Sequence, residues 1–357
     1  MLQKEIRKLY WFNALGNLSI AGAAWVLLLY AQGFSLVQIG IAETVFHLVS
    51  ITAEIPSGVF ADTAGRRTSL ILSCLMSILS ALIRAFWITF PGVCVSIAFS
   101  ALSYNFASGA DSALAYDLML EQGQADRYDR YAARQSVIYR LANGAATLAA
   151  GLAVILGNTA SQLLSVGLHA IQCLLIFTVR ENAVVRERGG SIKEKIAACL
   201  RESAAFLCGN AAVLTLIFRN ALVGAADTLL LFFLQARLPM CGTADWLLGP
   251  LLFFMSMGGV LGARVSEKAG RLKTPFPLCL ALVASGVAAA FSGAPWIMAL
   301  GGFTAAFADD LIQIRTDVAL NRLVPPARRA TLISVNSLCF SLVMIVLSPL
   351  AGWVFSL

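Results

Sequence analysis

Charge is scarce in this chain. Only 13% of its 357 residues are Asp, Glu, Lys or Arg, whereas 59% are hydrophobic and the mean hydropathy is +0.80. A soluble domain carries about 25% charged residues, so a soluble globular protein is excluded and an integral membrane protein is predicted. Because lipid offers no hydrogen-bond partner to backbone N–H and C=O groups, the predicted fold class is all-α.

Patterns for metals, nucleotides and catalysis are also lacking. The chain has two histidines, and its eight cysteines are scattered singly without a CxxC pair, so we interpret them as apolar core residues and expect no metal or other cofactor. No GxxxxGK[ST] phosphate loop occurs. No basic soluble face points to nucleic acid, and no nucleophile, base and orienting group converge, so we do not expect an enzyme.

Long apolar runs are what the chain has instead, and we predict eleven transmembrane spans. They lie at about 10–31, 37–60, 68–90, 92–115, 134–156, 159–179, 205–234, 246–266, 273–291, 294–317 and 328–356. Most of the 26 lysines and arginines fall in alternate connections, which predicts a cytoplasmic N-terminus. The N-terminal segment is interpreted as a retained first span, and eleven crossings place Leu357 on the outer side.

The longest hydrophilic stretch between spans divides the chain. We predict an N-terminal half of six helices at 1–180, a cytoplasmic linker at 181–203 and a C-terminal half of five helices at 204–357. The halves share a pattern shifted by 205 residues, in which Gly58, Asp62, Gly65 and Arg66 recur as Ala263, Glu267, Gly270 and Arg271. Such an internal duplication is typical of transporters built from two parallel, pseudo-symmetric halves.

The connection between the second and third spans is short and charged. It reads EIPSGVFADTAGRRTSL over residues 54–70. Glycines allow the chain to turn sharply here, and Arg66 and Arg67 are expected in the cytoplasm. Asp62 is expected near the start of the following helix, where a carboxylate is favoured.

This connection resembles the cytoplasmic loop signature of the major facilitator superfamily, and SGADSALAYD at 108–117 is similar to the fourth helix of its bacterial exporters. The resemblance implies a two-halved bundle, with the twelfth helix of the family missing here, that carries a small molecule by alternating access. It also implies a cytoplasmic gate motif made of Gly58, Asp62, Gly65, Arg66 and Arg67. A tight loop that only obeys the charge rule is the alternative. Thr63 and Asn105 stand where family members usually carry basic residues, which weakens an antiporter assignment.

Charged side chains inside the predicted spans need a reason, because each costs about 2.5–3.5 kcal/mol at the bilayer centre on insertion scales. Glu43, His47, Ser50 and Glu54 share one face of the second span. Titratable groups at this depth are suited to proton uptake and release. A seam of interhelical hydrogen bonds is the alternative interpretation.

Other spans supply further candidates. Asp111 and Arg140 lie at similar depths and are expected to neutralise each other, in a pair that is either functional or purely structural. Asp227 and Asp310 lie deep in the second half and are favoured as cavity residues. The predicted proton-coupling and cavity residues are Glu43, His47, Glu54, Asp111, Arg140, Asn143, Asp227 and Asp310.

These observations predict a secondary active transporter in a cell membrane, most simply a bacterial one. The expected cycle is proton-coupled efflux of a small amphipathic compound by alternating access. Uptake symport, facilitated diffusion and a non-transporting sensor or degenerate copy are the alternatives. The expected partners are a small-molecule substrate, protons and the lipid bilayer, and we expect a monomer.

Overall fold

The computed structural model describes residues 2–181, 211–268, 276–323 and 329–357. These residues are helical almost throughout, and no strand occurs among them, which confirms the predicted all-α class. Most of the predicted linker at 181–203 lies outside the described residues. So do Gly270 and Arg271, which end the second copy of the internal repeat.

Nine α-helices precede the linker. They are α1 (Leu2–Asn17), α2 (Ile20–Ala23), α3 (Trp25–Ala31), α4 (Leu36–Ala64), α5 (Arg66–Phe86), α6 (Phe90–Ala107), α7 (Ala110–Glu121), α8 (Tyr128–Leu148) and α9 (Ala150–Phe177). The first predicted span is divided among α1, α2 and α3, and the side chain of Ser19 accepts a hydrogen bond from the Gly22 N–H at the start of α2. Within α9, Gly157 has a φ of 77° and a ψ of 168°, which separates the fifth and sixth predicted spans.

Five helices follow the linker among the described residues. They are α10 (Ala211–Met240), α11 (Asp245–Lys268), α12 (Phe276–Ala289), α13 (Pro295–Leu323) and α14 (Arg329–Ser356). Each corresponds to one of the last five predicted spans. The closest packing among them joins α13 to α11 and α12, and α10 to α13 and α14.

Eight helical segments of the described chain are long and apolar enough to cross a membrane. The first, fifth and ninth predicted spans are not among them, because the first is divided, the fifth carries the charges of α8, and α12 has only 14 described residues. Large apolar side chains such as Phe86, Leu174 and Trp246 are exposed, as expected of a surface that faces lipid. The chain is therefore a multi-pass helical membrane protein.

Contacts between helices divide the chain into two units. Unit 1 contains Met1–Leu28 and Leu48–Ile196, and unit 2 contains Leu29–His47 and Ala197–Leu357. The first part of α4 thus belongs to unit 2 and the remainder to unit 1. Among the predicted site residues, unit 2 contains Glu43, His47, Asp227 and Asp310, and unit 1 contains Glu54, Asp111, Arg140 and Asn143.

A seam of serines joins α5 to α6 in unit 1. The hydroxyl of Ser103 lies 3.1 Å from that of Ser73 and 2.6 Å from that of Ser77. The hydroxyl of Ser80 lies 2.7 Å from that of Ser100 and also donates to the Ser96 carbonyl at 2.7 Å. Small hydroxylated residues let membrane helices approach closely while satisfying one another's polar groups.

Glycines hold α4 against α14 in unit 2. A Cβ atom added at Gly40 would stand 2.9 Å from the carbonyl carbon of Ser348, and one added at Gly352 would stand 2.9 Å from that of Leu36. The Thr44 hydroxyl also donates to the Ile345 carbonyl at 3.3 Å. The two backbones approach so closely that no larger side chain fits between them, which fixes the register of the two helices.

We expect Gly352→Ala to lower the free energy of unfolding by about 1–3 kcal/mol, the usual cost of overpacking. The added methyl group would meet the Leu36 backbone, which cannot move without separating the two helices. Thermal unfolding of the purified protein in detergent measures the change.

Gly167→Ala is the matched control, because an added Cβ atom there has no neighbour within 4 Å. It should leave the unfolding temperature unchanged or raise it slightly, since alanine favours helix by up to about 1 kcal/mol. Equal effects of the two substitutions would show that close packing at Gly352 does not matter.

Candidate functional site

Three carboxylates from α10 and α13 form an acidic cluster in unit 2, made of Asp227, Asp309 and Asp310. Asp227 is 5% exposed, and its Oδ1 has no hydrogen-bond partner among the described residues. Asp309 and Asp310 both lie close enough to act on the charge of Asp227. Like charges held together among apolar helices repel, so the cluster is chemically suited to bind a proton or another cation.

Glycines make the space that the acidic cluster occupies. A Cβ atom at Gly259 of α11 would collide with the Asp310 carboxylate, and one at Gly224 of α10 would stand 3.0 Å from Asp309 Oδ1. Gly224 lies one helical turn before Asp227, on the same face of α10. The two aspartates of α13 therefore reach the neighbouring helices only because these positions lack side chains.

A buried histidine lies in the same unit as this cluster. His47 of α4 is 5% exposed, and its Nε2 lies 3.3 Å from Glu43 Oε1. Its Nδ1 lies 3.1 Å from the hydroxyl of Ser341 on α14. Both ring nitrogens thus have polar partners. One partner, Glu43, lies on the same helix as His47, and the other, Ser341, lies on α14.

The ring of Phe340 packs near the histidine and near Gly224 of α10. The ring centroid of Phe340 lies 5.8 Å from that of His47. Its Cε2 stands 3.6 Å from the position of a Cβ atom on Gly224, which in turn is 3.0 Å from Asp309. The structure thus brings four predicted residues into one region of unit 2, namely Glu43, His47, Asp227 and Asp310.

Asp309 is the member of this region that was not selected from the sequence. Helical spacing puts Asp310, Gln313 and Asp317 on one polar face of α13, and Asp309, as the residue adjacent to Asp310, falls off that face. Two consecutive aspartates in an apolar span are themselves an unusual signal. Only the packing of α10 against α13 shows that both carboxylates lie close enough to Asp227 to act on its charge.

The other end of the predicted stripe on α4 lies in unit 1. The Ser50 hydroxyl donates to Asn105 Oδ1 at 3.0 Å, and Asn105 Nδ2 donates to the Ser50 carbonyl at 3.0 Å. Glu54 is partly buried and close enough to Tyr104 to interact with it electrostatically. At this end of the stripe, Ser50 thus forms a neutral hydrogen-bonded contact with Asn105, and Glu54 adds a carboxylate.

The expected pairing of Asp111 with Arg140 does not form in the described structure. Asp111 instead accepts hydrogen bonds from the backbone and hydroxyl of Ser112, and from Gln135 Nε2 at 3.3 Å. Arg140 lies five residues after Gln135, about 140° further round α8, and it is exposed, as is Asn143. Similar depth in the membrane does not ensure that two residues face each other.

The carboxylate that binds the start of α5 in the gate-motif connection is not the expected one. Gly65, with a φ of 104°, ends the connection, and Glu181 accepts the backbone N–H groups of Arg66 at 2.7 Å and Arg67 at 3.2 Å. The carboxylate at the start of α5 is therefore Glu181, whereas Asp62 is exposed in the last turn of α4. A contact across 115 residues leaves no periodic trace in the sequence.

The two arginines of the motif have partners within unit 1. The Arg66 guanidinium forms an ion pair with Asp117 at the end of α7. Arg67 Nη1 donates to the Val179 carbonyl at 3.1 Å. The motif thus ties the start of α5 to the ends of α7 and α9, while Gly58 and Asp62 remain exposed.

Sequence comparison gives a partial match. No family model matches the chain. An uncharacterized MFS-type transporter of Bacillus subtilis (strain 168), YxaM, is 33% identical over 109 residues. That stretch covers 28% of this chain and 26% of the relative, so the chain spans about a quarter of that protein's length.

Solved structures match over nearly the whole chain. The nucleoside transporter NupG matches with a TM-score of 0.74 at 14% identity, over 99% of this chain and 90% of that chain. A bacterial homolog of the human lysosomal transporter Spinster matches with a TM-score of 0.72 at 16% identity, over 98% and 81%. A D-xylose–proton symporter matches with a TM-score of 0.66 at 11% identity, over 99% and 93%.

The protein is thus a multi-pass helical membrane protein that shares its fold with solved transporters. Its particular fold is that of the major facilitator superfamily, which confirms, at the level of the fold, the resemblance found in the sequence.

We expect Glu181→Ala to lower the free energy of unfolding by about 1 kcal/mol, because it leaves the first N–H groups of α5 without their carboxylate. Thermal unfolding in detergent measures the effect. Asp62→Ala is the control, since it removes an exposed carboxylate from the same connection. A larger loss of stability from Asp62→Ala would mean that Asp62, not Glu181, organises the connection.

Proposed function

We propose that this protein is a secondary active transporter that exports a small amphipathic compound in exchange for protons by alternating access. The observation that carries the proposal is the acidic cluster of a buried Asp227 and partly buried Asp309 and Asp310 among apolar helices, in the same unit as the contact between Glu43 and His47. Buried carboxylates in a membrane bundle are expensive, and proton relays are one of the few uses that justify them.

The charge balance of the cluster supports proton coupling. When a proton binds, it relieves the repulsion among the three carboxylates, and when it leaves, the repulsion returns. The carboxylates sit on two helices, α10 and α13, and face glycines on α10 and α11. Protonation therefore changes the force between packed helices, which is what coupling a proton to a conformational step requires.

The comparisons supply the class of activity. The matching folds are named as transporters, and one is named as a proton symporter, so transport rather than catalysis is the role we assign. Uptake by symport is the second candidate function, and the similarity of the fold to that proton symporter favours it. Efflux is favoured by the similarity of residues 108–117 to exporters.

The gate motif has a proposed role in the same cycle. We assign Gly58, Asp62, Gly65, Arg66 and Arg67 to a cytoplasmic latch. The exposure of Asp62 supports this role, because its carboxylate is available to a cationic partner in another state of the cycle.

We expect Asp227→Asn and Asp310→Asn each to reduce proton-driven transport at least tenfold, because an amide keeps the size of the side chain and cannot take up the proton. The measurement is pH-gradient-driven flux in proteoliposomes of the pure protein, screened with amphipathic dyes, nucleosides and sugars. Asp245→Asn, at the exposed start of α11, is the control and should retain wild-type flux. Full coupling in both cluster variants would exclude these carboxylates as the proton site.

A substitution that moves a carboxylate without removing it gives an independent test. Gly259→Ala should displace the flexible Asp310 side chain and impair coupling at least tenfold, while unfolding stays within about 1 kcal/mol of wild type. Gly258→Ala should instead destabilise the fold, because its methyl group would stand 2.8 Å from the carbonyl carbon of Phe303, in the backbone of α13. If Gly259→Ala destabilises the fold as much as Gly258→Ala does, its effect on transport reports packing alone.

A further inference from the structure

A separate cavity in unit 1 is lined by arginines. It has a volume of about 530 Å³ and lies between the start of α1, the end of α7 and the start of α8. Its described lining contains no carboxylate, and it includes Arg7, Arg127, Arg130, Arg134, Tyr10 and Tyr131. None of these residues belongs to the acidic cluster or to the gate motif.

None of the four arginines forms an ion pair with another residue of the described ranges. Ion pairs found elsewhere in those ranges include Lys8 with Glu5 and Arg66 with Asp117. Within the cavity, Arg127 donates only to the neutral side chain of Gln124, at 3.0 Å. Arg130 and Arg134 lie one turn apart on the same face of α8. All four arginines are exposed, and together they create a positive potential around the cavity that attracts an anion.

A buried phenol adds a second, independent feature. Tyr131 is 2% exposed, its ring stacks on Tyr10 at a centroid distance of 5.1 Å, and its hydroxyl has no hydrogen-bond partner among the described residues. Burial, followed by the charges of Asp111, Tyr10 and Tyr128, raises the pKa of this phenol, so it remains a donor at neutral pH. A buried donor without an acceptor is a cost that an oxygen-rich ligand removes.

We propose that this cavity binds the phosphate group of an organic phosphate, through the guanidinium groups of Arg7, Arg127, Arg130 and Arg134 and the hydroxyl of Tyr131. Planar guanidinium groups match phosphate oxygens in a bidentate manner. Four positive charges favour a phosphate over a single carboxylate, which neutralises only one of them. The volume exceeds that of inorganic phosphate and leaves room for an attached organic group beside the tyrosine rings.

Two sources share this chemistry. One is the headgroup of an anionic phospholipid, since basic pockets among membrane helices on the predicted cytoplasmic side bind such headgroups. The other is a soluble phosphate ester. The positive-inside rule accounts for arginines at these helix ends, but it does not account for a cavity or for a buried phenol without an acceptor.

The test uses the purified full chain with two probes. Binding of pyrophosphate is measured by calorimetry in a neutral detergent. Binding of cardiolipin against phosphatidylcholine is measured by native mass spectrometry. The cavity variant is Arg130→Gln with Arg134→Gln, both at exposed positions where folding should be unaffected. Arg264→Gln with Arg322→Gln removes the same charge from exposed positions outside the cavity and is the matched control.

We expect the cavity variant to weaken binding of one probe at least tenfold while the control stays within about twofold of wild type. Tyr131→Phe should weaken binding of the same probe several-fold without changing the net charge of the protein. Pyrophosphate binding with this pattern identifies a soluble phosphate ester, and selective retention of cardiolipin with this pattern identifies a lipid headgroup.

Failure to bind either probe, or equal weakening by the cavity and control variants, would overturn the proposal. None of these measurements depends on transport, so the outcome is separate from that of the proposed proton coupling.

Discussion

Hydrocarbon provides no hydrogen-bond partner for polar groups, and this constraint shapes the described structure from backbone to site. The backbone satisfies it by forming helices, and side chains satisfy it by pairing across helices, as the serines of α5 and α6 do. A polar group that escapes such pairing therefore stands out. In the part of the chain that the structure describes, Asp227 Oδ1 in the acidic cluster and the Tyr131 hydroxyl in the arginine cavity have no such partner, and both lie where a ligand or proton has a chemical reason to bind.

Small residues decide where the polar side chains meet. Gly40 and Gly352 draw α4 against α14, which places His47 beside Ser341 and Phe340. Gly259 then leaves the space on α11 into which Asp310 extends. Because association of helices in lipid depends on close packing rather than on a hydrophobic force, these glycines specify the site as much as its charged residues do.

The sequence predicted the fold well because hydropathy and charge report directly on the membrane. The boundary between the fifth and sixth spans, for example, falls at Gly157, as the apolar runs indicated. Helical spacing also placed Glu43 and His47 on one face, which their contact bears out. The partners of Asp111 and Arg66 could not be predicted in this way. Such contacts depend on how two helices are rotated against each other, and the period of one helix holds no information about its neighbour.

The contrast between hydroxyls and carboxylates gives the proton proposal its physical basis. The serine seam shows that this protein can join two helices with neutral groups that are inexpensive to bury. Packing of α10 against α13 alone would need nothing more. The charges of three neighbouring aspartates repel one another, a cost that serine or asparagine would not bring to a purely structural contact. What they add is a charge that depends on proton binding, and a transporter that exchanges protons for its substrate requires that property.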